Sequence, residues 1–167
     1  MITNKDLVKV LGPVYNFSKI TKEVLDVFSK HSAGGNQIIL QTQTEGNEDW
    51  LTGVGSIEKL ENKQENDYVH IQPSLQGSEL AQLINQYGAY RTRIMRMPPI
   101  SCYSVHRDFS VRIHIPVVSN NDSFLIWPRL QVCSRLLPGL VYWTDTTKEH
   151  TAINGGDLDR IHIVMCV

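Results

Sequence analysis

The chain has 167 residues, enough for one domain with a real core and too few for two comfortable ones. Sixteen basic against 17 acidic residues leave a net charge of -1, which argues against the basic face that nucleic acid or an anionic membrane would need. No apolar run approaches the roughly 18 residues that span a bilayer, and MITNKDLVKV lacks the basic start and apolar stretch of a secretion signal, so a cytoplasmic location is expected.

From Asn16 to Ser29, Ile20, Val24, Val27 and Phe28 recur at helical spacing and predict an amphipathic helix that Gly34 and Gly35 end. NQIILQTQT follows as a strand, EGNEDWLTGVGS as a glycine-broken loop, and a polar stretch, NKQEND, leads to a short strand from Tyr68 that ends before Pro73. Ser78 is placed to cap a second helix, ELAQLINQY, with Leu80, Leu83 and Ile84 inward.

From Tyr90 the texture changes to short apolar runs broken by Pro, Gly and Asn. YRTRIMRM, SCYSVH, SVRIHIPVV, SFLIWP, LQVCSRLL, GLVYWTD and RIHIVMCV are seven strand candidates in about eighty residues. That density predicts a mainly β sandwich or barrel rather than alternating βαβ units. The expected organisation is one domain over 1–167, with 1–89 a helical and mixed support and 90–167 the β core. Cys102, Cys133 and Cys166 are odd in number and widely spaced, which predicts reduced thiols packed in or near the core. Arg91, Arg93 and Arg96 read as solvated strand charges, with a basic lip for an acidic substrate as the alternative.

The chemistry concentrates in SVHRDFSVRIHIPV. Residues i and i+2 of a strand share a face, about 6.6 Å apart at the backbone, so His106 and Asp108 can meet one metal ion. Two histidines and one carboxylate on one side of Fe(II) leave positions open for a co-substrate and oxygen. The pair alone means little, because with six histidines and 17 acidic residues such a spacing arises readily by chance. His150 adds a third donor 44 residues later, and Arg160 opens the last strand. An arginine there has the planar fork that pairs with a carboxylate through two hydrogen bonds.

With CYSVHRD, VRIHIPV, LLPGLVYWTD and HTAINGGDLDRIHIV in this order, the chain resembles the Fe(II)- and 2-oxoglutarate-dependent oxygenases, in particular their aspartyl/asparaginyl β-hydroxylase-like branch. The likeness covers roughly Tyr90 to Val167, with an echo in NQIILQTQ. It implies a double-stranded β-helix of the jelly-roll, cupin-like kind. It implies that His106, Asp108 and His150 bind the iron and that Arg160 takes the distal carboxylate of 2-oxoglutarate. Arg112 and His114 match an Arg-x-His pair near the co-substrate. Tyr103 is a candidate hydroxyl donor to 2-oxoglutarate or substrate, or a half-buried strand tyrosine. Asn154 is a candidate orienting partner of His150, within a turn formed with Gly155 and Gly156. His162 has no assigned role.

The animal aspartyl/asparaginyl enzyme lacks the acidic iron ligand, so Asp108 makes the chain more similar to bacterial and phage members and to free-proline hydroxylases. The sequence ends seven residues after Arg160, which gives the expectation of an open site and argues against a base-repair oxygenase, where further arginines would follow. The resemblance implies a hydroxylase of an aspartyl, asparaginyl or prolyl side chain in a protein or peptide. Such an enzyme uses Fe(II), 2-oxoglutarate and O2, with ascorbate as a stimulant, and releases succinate and CO2. The rival readings are a hydroxylase of a free amino acid or small metabolite, a non-catalytic module that binds metal and 2-oxoglutarate, and a fold in which the triad is incidental.

Overall fold

The computed structural model describes residues 3–56 and 64–167; Asn62 and Lys63, which begin the polar stretch before Tyr68, lie outside them. In chain order the elements are α1 (Asn4–Leu7), β1 (Val8–Pro13), α2 (Phe17–His31), β2 (Gln37–Ile39), β3 (Gln41–Thr42), β4 (His70–Ile71), α3 (Glu79–Gln86), β5 (Tyr90–Met97), β6 (Ser101–Cys102), β7 (Arg112–Val118), β8 (Ser123–Trp127), β9 (Val132–Ser134), β10 (Leu140–Thr144), β11 (Thr151–Asn154) and β12 (Arg160–Cys166). They divide into two compact units, Met1–Tyr15 with Arg96–Ile163, and Asn16–Met95 with Val164–Val167. Among the described residues no helix is long and apolar enough to cross a membrane.

In the first unit β1, β10, β7 and β12 lie in that order in one sheet, and β6, β11, β8 and β9 form another. The chain passes from β7 to β8 and β9 in the other sheet, back to β10, across to β11 and back to β12. This alternation is the jelly-roll, or double-stranded β-helix, and the mainly β expectation holds. Leu125 and Trp127 of β8, Ala152 of β11 and Tyr142 of β10 meet in one apolar cluster with Leu7, Met97 and Leu136. Side chains of the two sheets thus fill the space between them. Along β8, Ser123, Leu125 and Trp127 are buried and Phe124 and Ile126 only partly so, the period-two pattern of a strand with one covered face.

Two strands escape the sequence pattern. β1 pairs with β10 and exposes Lys9, Val10 and Leu11 in succession, with a register shift between Val10 and Gly12, so no alternation marks it. β11 is the short TAIN segment between β6 and β8. The expectation of three packed cysteines fails for two of them. Cys102 and Cys133 are exposed because they pair with Ile153 and Ile126, on the sheet face opposite the buried Ala152, Leu125 and Trp127, while Cys166 is buried.

In the second unit α2 buries Ile20, Val24 and Phe28, as the spacing predicts, while Val27 is only half-buried. The Ser78 hydroxyl accepts from the Ala81 amide, and the Glu23 carboxylate of α2 accepts from the Glu79 and Leu80 amides, so the first turn of α3 is doubly capped. Arg91 and Arg93 are buried, which corrects their reading as solvated charges. Arg91 donates to Glu65 at 2.7 Å and to the Gly53 and Gly55 carbonyls at 3.1 and 2.7 Å. Gly53 is required there: its φ is +96°, and a Cβ would stand 2.4 Å from the Tyr68 ring.

Candidate metal centre

His106, Asp108 and His150 converge in the first unit, each with one donor atom within 4.8 Å of the others'. The backbone brings the histidines together. Cys102 faces Ile153 across β6 and β11, but His106 faces His150, with amide-to-carbonyl bonds of 3.0 and 2.9 Å in both directions. That is four steps on one side against three on the other, so one extra residue enters between Cys102 and His106. Such a bulge re-aims the residues after it. The imidazoles end 4.5 Å apart between ring centroids.

Each ring is oriented by the same device. His106 Nδ1 lies 2.8 Å from the Ser104 carbonyl and His150 Nδ1 3.0 Å from the Lys148 carbonyl, each two residues upstream. A carbonyl only accepts, so both Nδ1 atoms carry a proton and Nε2 is the nitrogen each ring has left to offer a metal. Burial holds the His150 ring below the ordinary histidine range, against the smaller opposing pull of the Lys148 carbonyl and Asp108. A neutral imidazole is the form that ligates.

Asp108 is fixed from both ends. Its amide donates to the Thr146 carbonyl at 2.9 Å, and its Oδ1 stands 3.4 Å from Arg112 Nη2 and its Oδ2 3.7 Å from His150 Nε2. The buried Arg112 guanidinium also donates to the Ser110 carbonyl at 2.9 Å and to the Ser110 hydroxyl. The sequence suggests a co-substrate contact for Arg112; the fold puts its guanidinium against the Asp108 carboxylate.

Arg160, His162 and His114 form a second polar group. Arg160 is 6% exposed and, among the described residues, pairs with no carboxylate; its Nη2 donates to His162 Nδ1 at 3.0 Å. Burial lowers its pKa to about 10, with Tyr103 acting in the opposite sense. His114 meets the His162 ring edge-on at 5.8 Å. The sequence pattern assigns His162 no role. The signal was present, since residues 160 and 162 of a strand share a face.

Two further groups beside the donors carry no mark in the sequence pattern. The Trp127 indole, fully buried, donates to the Asp145 carbonyl at 2.9 Å and lies tilted 6.4 Å from the His150 ring. Thr144 and Thr146 hydroxyls donate to the Arg112 and Ser110 carbonyls at 3.1 and 3.0 Å, tying β10 and the residues after it to the Asp108 segment. Asn154 does not orient His150. Its amide donates to the carbonyls of Met97, Pro98 and Leu158 and its oxygen accepts from Asn120 and Ser123, so it organises the turn before β12. Gly156 belongs to that turn because a Cβ there would stand 2.6 Å from the Asn120 side chain.

No family model matches the chain. No curated protein matches it in sequence. Solved structures resemble its fold. A viral collagen prolyl hydroxylase, vCPH of Paramecium Bursaria Chlorella virus-1, in a 2OG complex, aligns with a TM-score of 0.54 at 10% identity, over 100% of this chain and 99% of that one. AviO1 from Streptomyces viridochromogenes gives 0.51 at 17% identity, over 95% and 88% of the two chains. A 2OG-Fe(II) oxygenase family oxidoreductase from Burkholderia pseudomallei gives 0.50 at 14% identity, over 95% and 82%. At these identities the likeness is one of fold.

Proposed function

We propose that the protein is an Fe(II)- and 2-oxoglutarate-dependent oxygenase in which His106, Asp108 and His150 hold the metal and Arg160 holds the distal carboxylate of 2-oxoglutarate. The observation that carries this reading is the convergence of the three donors within 4.8 Å, with both histidine Nδ1 atoms already committed to carbonyls. Two neutral imidazoles and one carboxylate are the donor set of non-haem Fe(II) sites that keep positions open. The buried Arg160, which pairs with no carboxylate among the described residues, fits an incoming anion. The fold-level neighbours include a protein described as a 2OG-Fe(II) oxygenase and a prolyl hydroxylase in a 2OG complex, which favours the same reading.

When bound, iron with 2-oxoglutarate and O2 supplies the oxidising chemistry, and succinate and CO2 are released. The chain supplies positioning. Arg112 keeps one Asp108 oxygen occupied so that the carboxylate presents the other to the metal, and the Ser104 and Lys148 carbonyls fix the rings. Arg160 holds the far end of the co-substrate, with His114 and Tyr103 beside that group.

The substrate class we propose is an aspartyl, asparaginyl or prolyl side chain within a protein or peptide. His106 is exposed, and Val105 and Phe109 around the ligand segment are 54% and 65% exposed, an open apolar approach suited to a chain. The motifs VRIHIPV and HTAINGGDLDRIHIV favour the aspartyl/asparaginyl-hydroxylase-like branch. The test is succinate formation from 2-oxoglutarate with Fe(II) and ascorbate, alone and with peptide or free amino-acid pools, read with mass spectrometry for added oxygen. Succinate above the His106→Ala level and a peptide gaining one oxygen are expected. Oxygen gained only by free amino acids would move the substrate class. Stoichiometric Fe(II) binding without succinate under any condition would leave a binding module and overturn the enzyme.

A further inference from the structure

We infer that His162 is a positioning residue of the anion site, holding the Arg160 guanidinium through its Nδ1 lone pair so that the remaining N–H groups face the carboxylate. This rests on the oxygenase reading. Arg160 and His162 are alternate residues of β12, and strand periodicity sets both side chains on one face. The contact between them is 3.0 Å, from Arg160 Nη2 to His162 Nδ1. A guanidinium has donors only, so Nδ1 must be the bare nitrogen and the ring is neutral with its proton on Nε2. Complete burial and the charge of Arg160 both favour that neutral form.

The other ring nitrogen makes the choice of residue informative. His162 Nε2 is buried and has no hydrogen-bond partner among the described residues. A buried donor without a partner costs free energy. Leucine would fill a similar volume without that cost, so what histidine adds is the acceptor at Nδ1. His114, edge-on at 5.8 Å, braces the ring that carries it. Arginine brings many rotamers, and fixing one of its nitrogens before the ligand arrives reduces the ordering that binding requires. A neutral acceptor does this without cancelling the positive charge, as a carboxylate would.

The experiment is anaerobic calorimetric titration of Fe(II)-loaded protein with 2-oxoglutarate, on wild type, His162→Phe, His162→Asn and Arg160→Met. His162→Phe keeps an aromatic ring and loses the acceptor; about tenfold weaker binding is expected. His162→Asn offers its Oδ1 near the place of Nδ1 and is expected to recover most of the affinity. In turnover, the 2-oxoglutarate KM should rise in His162→Phe while kcat changes little. Nitrogen NMR of the wild-type imidazole should report a neutral ring with Nδ1 unprotonated. Unchanged binding in His162→Phe, equal losses in the Phe and Asn variants, or a proton on Nδ1 would each overturn the inference. If His162→Phe does not fold, the Asn variant and the NMR spectrum decide: Asn binding as weakly as Arg160→Met overturns it. Wild-type protein that binds Fe(II) but no 2-oxoglutarate sinks the oxygenase reading and this inference together, whereas normal wild-type binding with unaffected variants sinks only this one.

Discussion

Two buried arginines, one in each unit, solve the same electrostatic problem in different ways. Arg91 is matched inside the protein: Glu65 lies 2.7 Å away and two glycine carbonyls take its other donors. Arg160 is also buried and, among the described residues, meets a neutral imidazole in place of a carboxylate. A buried charge is costly unless paired, and breaking a buried pair is costlier than never having made it. Arg91 therefore reads as architecture and, on the proposed function, Arg160 as a receptor for an anion that arrives later. The difference teaches that burial alone does not distinguish a structural cation from a functional one; the distinguishing feature is whether the chain provides the counter-charge.

The largest expected effect tests the architectural half. Glu65→Ala leaves Arg91 buried without its partner and should destabilise the protein by about 3–5 kcal/mol, measured by chemical unfolding. Provided the variant folds, 2-oxoglutarate affinity should stay close to that of wild type. A loss below 1 kcal/mol would mean that the two glycine carbonyls suffice for Arg91 and would dissolve the contrast.

Arg160→Met tests the other half and should behave in reverse. Binding of 2-oxoglutarate to the Fe(II)-loaded protein should weaken by about 2–5 kcal/mol, the cost of removing one member of a buried charged pair. The ligand-free protein should be as stable as wild type or more so, because a desolvated cation has been replaced by an apolar side chain of similar length. Unchanged affinity would move the anion site elsewhere, and marked destabilisation would make Arg160 a structural residue like Arg91.

Acid sharpens the comparison further. His150 and His162 are both held below the ordinary histidine value of 6.5, chiefly by burial. Their rings stay neutral in the folded state while the unfolded chain takes up protons. Their stabilising contribution is therefore complete above pH 6.5 and is lost as pH falls below it. Each ring adds a slope of about 1.4 kcal/mol per pH unit until it protonates in the native state. Urea unfolding of the metal-free protein between pH 7 and 5 should show a shallower loss in His162→Asn than in wild type. Identical slopes would mean that His162 is already charged in the folded protein and cannot accept from Arg160.

The readable part of the site depended on period two. Arg160 and His162 share a face because both lie on β12, whereas His106 meets His150 in a single bridge and Asp108 lies outside any strand, so the two-residue spacing picks out that pair without a shared strand face. What stayed hidden depended on geometry that no local pattern carries. The extra residue between Cys102 and His106 sets which residue faces His150, and nothing in CYSVH marks it. The Glu65 partner of Arg91 sits 26 residues away in a polar turn, so RTRIMRM looked like solvated charge. β7 and β12 are buried at nearly every position, which hides the alternation that would have given their inward faces. The two exposed cysteines lie on the outward face of their sheet, opposite Ile153 and Ile126, and strands as short as β6 and β9 carry too few residues for the sequence to show which face is covered.

Arg96 completes the series at its weak end. Its Nε donates to Asp159 Oδ2 at 2.7 Å, as short as the Arg91 pair, but the two side chains are 33% and 35% exposed against 3% and 7%. Distance is thus held constant while solvent access varies. In water-accessible surroundings the Coulomb gain is screened and the entropy of holding two long side chains offsets much of it, leaving about 0.2–1 kcal/mol. Asp159→Asn should therefore cost no more than that, and the cost should shrink in 1 M salt, where screening extends only about 3 Å. Glu65→Ala measured in the same salt should lose little of its effect, because ions do not reach a pair buried on both sides. If the two variants responded alike, the counter-charge argument for Arg91 and Arg160 would have to be rebuilt on something other than burial.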